Sequence, residues 1–321
     1  MADTKTTSSS QTARENGLGL NIPIKLSLGQ RRMLWGYVFL LIPFGYLVVV
    51  RFIPTFLSLN MSFREWSILN PQKTWVGLDN FIQLAGDVRF WKSLGNNFTI
   101  ALIAVPIQIF LSLGIALLLN RIVKFRGLFR LIYFIPFMTV TPAVARVWRW
   151  AYVPQIGTFN TILRSLGLPE QPFLLSTEQA LYSVIAVIIW QSIGFAVVIM
   201  LAGLNQIPKV YYEAAELDGA NAWQILRHVT IPLINTSIVF LAITLTIGAL
   251  QTFTLVFLFS PSSSQLGGPL DATRTLVLHI YDYGFKRYEF GYAAAMTVVM
   301  LVLMVSLSLI QLRVLAKRIE Y

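Results

Sequence analysis

Residues 213–232 read EAAELDGANAWQILRHVTIP and stand between two long apolar runs. Pro208 suits a first helical turn and Gly219 a helix stop, so one short helix is predicted over Pro208–Leu217. Val210, Ala214 and Leu217 recur at i, i+4 and i+7 and make one face, with Glu213 and Glu216 beside it. Asn221 followed by Gln224 has capping-box spacing and should open a second helix through His228, which Pro232 then breaks. Gly219 joins the two. Helices this short are marginal in water and cannot bury their own apolar face. Such a segment packs either on the chain's own helices or on a separate surface; Ala214 and Ala215 allow close approach and the carboxylates suit a basic partner.

The surroundings explain what kind of chain carries it. Of 321 residues, 56% are hydrophobic and 12% charged, against about a quarter charged in a soluble globule. That composition belongs in a membrane. The net charge of +11 is what the Lys and Arg of membrane loops produce, and no basic run interleaved with aromatics points to nucleic acid. Without cysteine there is no disulfide, thiolate site or Cys-ligated metal. Residues 1–30 are read as a disordered cytoplasmic tail, since TKTTSSSQTAREN and its flanks contain no apolar signal-peptide core.

A bilayer core about 30 Å thick takes about 20 apolar helical residues. Six stretches qualify, at 33–58, 97–119, 128–150, 180–203, 233–259 and 291–312. The third carries Pro136 and Pro142, which imply kinks. Lys and Arg are more numerous in the tail, around 121–130, at 209–227 and after 312 than in the intervening loops, which places both termini and the 204–232 segment in the cytoplasm. His228 and His279 then fall on opposite sides, against a His-based metal site. The outer stretch NFIQLAGDVRFWKSL reads as short interfacial helices and YVPQIGTFNTILRSLGLPEQP as turn residues around a short apolar patch, both folded back on the membrane surface, where they join spans or dock an outside partner.

The order Glu213-Ala214-Ala215, three residues, Gly219, nine residues, then Val229, Ile231 and Pro232 resembles the cytoplasmic signature of permease subunits of binding-protein-dependent ABC importers. WVGLDNF, FWKSLGNN and RGLFRLIYFIPFMTVTPAVARVWRW resemble the same family. GGP at 267–269, Thr275, Ile280-Tyr281, Phe285 and GYAAA from Gly291 resemble its carbohydrate-uptake (maltose/oligosaccharide-type) branch. The resemblance implies an all-α membrane protein: six transmembrane helices in the type I importer permease fold, a permease domain over 31–321 and a coupling loop at 204–232.

In that family the loop is a coupling helix seated in a separate ATPase, so the resemblance assigns Glu213 to ionic contact, Ala214 and Ala215 to close packing, Gly219 to the turn, and Asp218 and Pro232 to the same coupling set. It implies no cofactor in this chain, ATP and Mg held by the partner ATPase, a second, different permease chain, two ATP-binding subunits and an extracytoplasmic sugar-binding protein, in the bacterial inner membrane. No GxxxxGK[ST] loop occurs in the sequence, as a chain without its own ATPase site requires. Sugars are held by hydrogen bonds and aromatic stacking, so Trp190, Gln191, Gln251, Thr252 and Phe253 are the passage candidates, each also able to serve as interhelical glue. Arg146 and Arg149 either snorkel at the end of the third span or line the passage, in which case an acidic saccharide follows. The alternative is an ion-gradient-driven secondary transporter, but the six stretches contain no Asp or Glu to carry its ion. An enzyme lacks paired acids or a nucleophile with its base.

Overall fold

The computed structural model describes residues 27–68, 72–121, 126–262 and 265–315. The chain forms two compact units, Met1–Pro54 and Thr55–Tyr321. In the first, helix α1 (Leu28–Leu47) begins at a capping box in which Ser27 and Gln30 exchange side-chain and backbone hydrogen bonds. The helix therefore starts inside the stretch assigned to the tail; the tail's residues 1–26 lie outside the described residues. A π-turn at Val48–Phe52 follows, closed by Ile53 N–H donating to Val48 O, with Pro54 next in sequence. The widened turn spreads the carbonyls that a proline ring would otherwise strike. Helix α2 (Ile53–Ser62) completes this long apolar stretch.

The second unit takes up the chain at Thr55, within α2, and continues as a two-stranded antiparallel ribbon, β1 (Arg64–Glu65) against β2 (Thr74–Trp75), with Arg64 opposite Trp75. Helices α3 (Asp79–Gly86) and α4 (Val88–Arg121) meet at Asp87, whose carboxylate accepts from Arg89 N–H at 2.8 Å. That cap makes the later part of the first outer stretch a part of α4, which begins nine residues ahead of the predicted span. Then come α5 (Arg126–Met138), α6 (Thr141–Ala151) and α7 (Thr158–Ser165), the last a helix in the second outer stretch, where the sequence reads as turn residues around an apolar patch.

Helix α8 (Ala180–Asn205) leads to α9 (Lys209–Leu217), α10 (Ala222–Ile225), a π-turn at Leu226–Thr230 and α11 (Ile231–Leu233). Next are α12 (Asn235–Leu250), α13 (Thr254–Phe259), α14 (Leu276–Tyr281) and α15 (Phe290–Leu315).

Core packing fixes the helix directions. The middle of α4 meets the first turns of α8 through Ile100, Ala104, Leu181 and Ile185, and there they also meet Ala249 from the end of α12. At the other end Ala116 and Leu119 pack with Met200, Leu204 and Ile234. So α4 and α8 run parallel and α12 runs against them. Helix α15 starts beside the end of α12, with Tyr292 and Met296 on Leu250, and finishes beside its start, where Asn235 Nδ2 donates to Leu315 O at 3.0 Å. The close of α15 and the 204–233 segment thus share one end of the bundle. Helix α5 lies on α8 at Gly194, where an added methyl would overlap the Tyr133 carbonyl oxygen, so only glycine admits this approach.

Two of the expected spans are broken, the third where its prolines implied a kink and the fifth where no break was expected. Residues 128–150 form two helices bent by 91° around Thr139 and Val140, because Pro142 starts a new helix in its first turn and does not extend the old one. Residues 233–259 lose helical geometry at Gln251–Phe253, where Phe253 has φ −129° and ψ −63°. A third bend, of 67°, separates Ala222–Leu233 from α12. Among the described residues, four helical stretches are long and apolar enough to cross a membrane, or up to six if each of the two bent pairs is one span.

Candidate functional sites: an exposed helical bracket and a cavity between broken helices

At the end of the bundle shared with the close of α15, α9 stops in a Schellman geometry. Gly219 has φ +76°, its N–H donates to Glu216 O, and Ala220 N–H reaches back to Ala215 O at 2.9 Å. Ala215 and Gly219 of the signature are therefore the two ends of one turn. The helix begins at Lys209, and Pro208 is its extended N-cap, one residue outside the predicted start. The Asn221–Gln224 capping box forms as expected, with Asn221 N–H donating to Gln224 Oε1 at 2.7 Å.

Pro232, expected to end the second helix, does not. The π-turn at Leu226–Thr230 carries the chain past it, Ile231 N–H donating to Leu226 O, and the break falls at Ile234. This repeats the arrangement ahead of Pro54.

Tyr212 anchors the bracket by packing on the Met200–Ile234 core, its hydroxyl 3.4 Å from Thr230 Oγ1. The face read from the sequence is bare: Val210 is 61% and Leu217 90% exposed, and Glu213, Ala214 and Asp218 are exposed beside them. Trp223 on α10 adds another exposed aromatic. A helix of this length with an uncovered apolar face has the form of a docking element.

Between the helices lies a cavity of about 650 Å³. Both broken stretches contribute to it: Thr139 and Thr141 from the α5–α6 bend, Thr252 and Phe253 from the gap after α12. Gln191 spans to the first break, its Nε2 donating to Thr139 O and Thr141 Oγ1, each at 3.3 Å. Three of the five passage candidates, Gln191, Thr252 and Phe253, are thus gathered on one wall.

The other two are elsewhere. Trp190 packs edge-on against Trp148 with centroids 5.3 Å apart, and Gln251 turns outward to Met304 Sδ at 3.6 Å. Sequence reasoning missed Gln108, 2% exposed, whose Nε2 donates to Ser192 Oγ at 2.6 Å on the cavity wall. A glutamine in the middle of an otherwise apolar span was the available signal.

The cavity wall carries amides, hydroxyls and aromatic rings and, among the described residues, no charge. Arg149 instead donates to Leu258 O at 3.1 Å and Pro261 O at 3.4 Å, closing the orphan carbonyls at the end of α13. Arg146 is exposed on α6 and also absent from the wall. Of the two alternatives read for these arginines, neither Arg146 nor Arg149 lines this cavity, since α6 leaves it at the bend.

At the opposite end of the bundle from the bracket sits a buried polar network. Asp87 accepts from Tyr292 Oη at 2.9 Å and His279 Nε2 at 3.2 Å, and Arg274 joins Asp271 to Asp282. His279 is fully buried, and burial holds its pKa below the usual imidazole value against the pull of Asp87. Burial would raise the Asp87 carboxyl, but its hydrogen bonds from Tyr292, His279 and the Arg89 amide hold it below the usual value. His228 lies far along the chain in the second π-turn, bonded to Gln224 O, and no cluster of three His, Asp or Glu suited to a metal occurs among the described residues.

Comparison with known proteins agrees with this arrangement. The chain is 29% identical to the trehalose/maltose transport system permease protein MalF of Thermococcus litoralis, over 92% of this chain and 97% of that protein. It is 32% identical to the sn-glycerol-3-phosphate transport system permease protein UgpA of Agrobacterium fabrum, over 85% and 92% of the two. Its fold matches a chain in the crystal structure of a bacterial alginate ABC transporter in complex with an alginate pentasaccharide-bound periplasmic protein, with TM-score 0.76 and 23% identity over 88% of this chain and 94% of that one. Residues 82–321 match the family described as the binding-protein-dependent transport system inner membrane component. The bare bracket, the broken helices and this match over most of the chain lead to one conclusion: the protein belongs to that family of ABC transporter permeases.

Proposed function

We propose that this chain is the membrane-spanning subunit of an ATP-driven importer that passes a sugar or oligosaccharide handed over by an extracytoplasmic binding protein. The observation that carries the reading is the bracket: a short helix, locked by its own caps, with Val210, Ala214 and Leu217 uncovered and Glu213 beside them. That surface suits an ATP-binding partner with an apolar cleft and a basic rim. Two such subunits, holding ATP and Mg, and a second permease chain complete the assembly. The 204–233 segment and both termini face the cytoplasm, and the membrane is the bacterial inner membrane.

The uncharged cavity wall of amides, threonines and Phe253 supports an uncharged saccharide at this chain's share of the passage. Relatives named for maltose and for glycerol phosphate transport support the substrate class and leave the individual sugar open. A pull-down of the tagged chain from native membranes tests the reading. A nucleotide-hydrolysing chain should copurify, and Glu213→Lys should weaken its retention by setting like charges together. Undiminished retention in Glu213→Lys, or uptake driven by an ion gradient without ATP, would overturn it.

A further inference from the structure

The gap at Gln251–Phe253 is held by groups outside the cavity. Asn97, 1% exposed on α4, donates from Nδ2 to Leu250 O at 2.8 Å, a carbonyl released where α12 ends, and shares Ala249 O at 3.2 Å with the Thr252 N–H. Its Oδ1 accepts from Leu276 N–H at 2.7 Å, an orphan donor in the first turn of α14. Thr275, the N-cap of α14 and fully buried, donates from Oγ1 to Thr252 O at 2.7 Å and accepts from Leu278 N–H. The residue before Asn97 on α4 serves the outer loop: Asn96 Nδ2 donates to Asp271 O at 3.1 Å and Arg274 O at 2.9 Å. That loop holds Leu270 and Asp271 at φ +49° and +59°, a left-handed conformation costly for both.

We propose that Asn97 and Thr275 are positioning residues for passage: they hold the unwound Gln251–Phe253 backbone in the shape that presents Thr252 and Phe253 to the cavity. The proposal rests on the cavity being the sugar's path. Every polar atom of the Asn97 amide is engaged, two donors and one acceptor, and its bonds join α4, α12 and α14 at a single buried point. Burial makes those bonds expensive to lose, because the buried Leu250 carbonyl and Leu276 N–H would be left unsatisfied. Through Asn96 and Asn97, adjacent on one helix, the strained outer loop and the cavity wall are fixed to the same turn of α4.

The chain has no cysteine, so a single introduced thiol reports on one position. N-ethylmaleimide labelling of Thr252→Cys in the full chain in membranes should accelerate about tenfold when Asn97→Asp or Thr275→Val is added, the scale set by a lost buried hydrogen bond. Thr275→Ser, which keeps the hydroxyl, should restore the original rate. A second reporter, Thr139→Cys at the other break, should label unchanged, separating local release from general unfolding. Equal Thr252→Cys rates in all backgrounds, or a parallel rise at Thr139→Cys, would overturn the proposal. The path itself is judged separately by the effect of Gln191→Ala on uptake, so either idea can fail alone.

Discussion

The bracket at 208–233 and the gap at 251–253 both interrupt a helix, and they satisfy the freed backbone in opposite ways. In the bracket every cap is local: Gly219, Asn221 and Gln224 close hydrogen bonds within five residues of themselves. At the gap the partners come from 152 and 153 positions away in sequence for Asn97 and 23 for Thr275. A locally capped segment keeps its shape while its surroundings move and can be gripped as a unit. A segment capped from a distance changes shape when its distant neighbours shift, as a passage wall must.

The sharpest way to break this contrast is Gly219→Pro. Proline cannot adopt φ +76° and removes the N–H given to Glu216 O, so the turn is lost. Binding-protein-stimulated ATP hydrolysis in the reconstituted complex should vanish while the spans remain inserted; full stimulation would show that the bracket's shape is irrelevant. Gly194→Ala comes next, since its methyl meets the Tyr133 carbonyl and overpacking typically costs about 1–3 kcal/mol. A lowered midpoint of thermal unfolding in detergent should register it.

At the cavity, Gln191→Ala removes the amide that serves Thr139 and Thr141. The half-saturating concentration of loaded binding protein for uptake should change about five- to tenfold, with nucleotide hydrolysis in the absence of binding protein intact. Acidification probes the distal network. The folded pKa values of His279 and Asp87 both lie below their unfolded ones, so protons favour the unfolded chain. Stability should decline as pH falls below the ordinary imidazole value of 6.5, and again through the carboxylate range. His279→Gln should flatten the first decline in a pH series of unfolding midpoints. The smallest effect belongs to Asn221→Ala, which loses a capping box worth about 1 kcal/mol. Faster amide exchange over residues 222–230, with coupling retained, would mark it as a purely local device.

The same difference governs what could be read from the sequence. Gly219, the Asn221–Gln224 pair and the Val210–Leu217 face are short-range patterns, and each appears where its spacing placed it. The α-helical class and the apolar stretches follow from composition over windows of about 20 residues. The bend in the third stretch was announced by its prolines, though not its size, whereas the break in the fifth was not legible, because the groups that hold Gln251–Phe253, Asn97 and Thr275, lie on other helices. Gln191, Thr252 and Phe253 could be nominated as polar or aromatic residues in a span; only packing separates them from Trp190 and Gln251, one residue away in each case. Pro232 misled for a related reason, since the π-turn that accommodates it leaves no mark in residue type.

That wide turn has a geometric consequence. A π-turn is an α-helix holding one surplus residue, and a helical residue corresponds to about 100° of rotation. The surplus at Leu226–Thr230 therefore sets the azimuth of everything ahead of it relative to α12. Deleting one residue there while replacing Pro232 by alanine, since an unwidened helix could not hold the proline, would heal the helix and swing Val210 and Leu217 to a new bearing, leaving a well-folded bracket aimed at empty space.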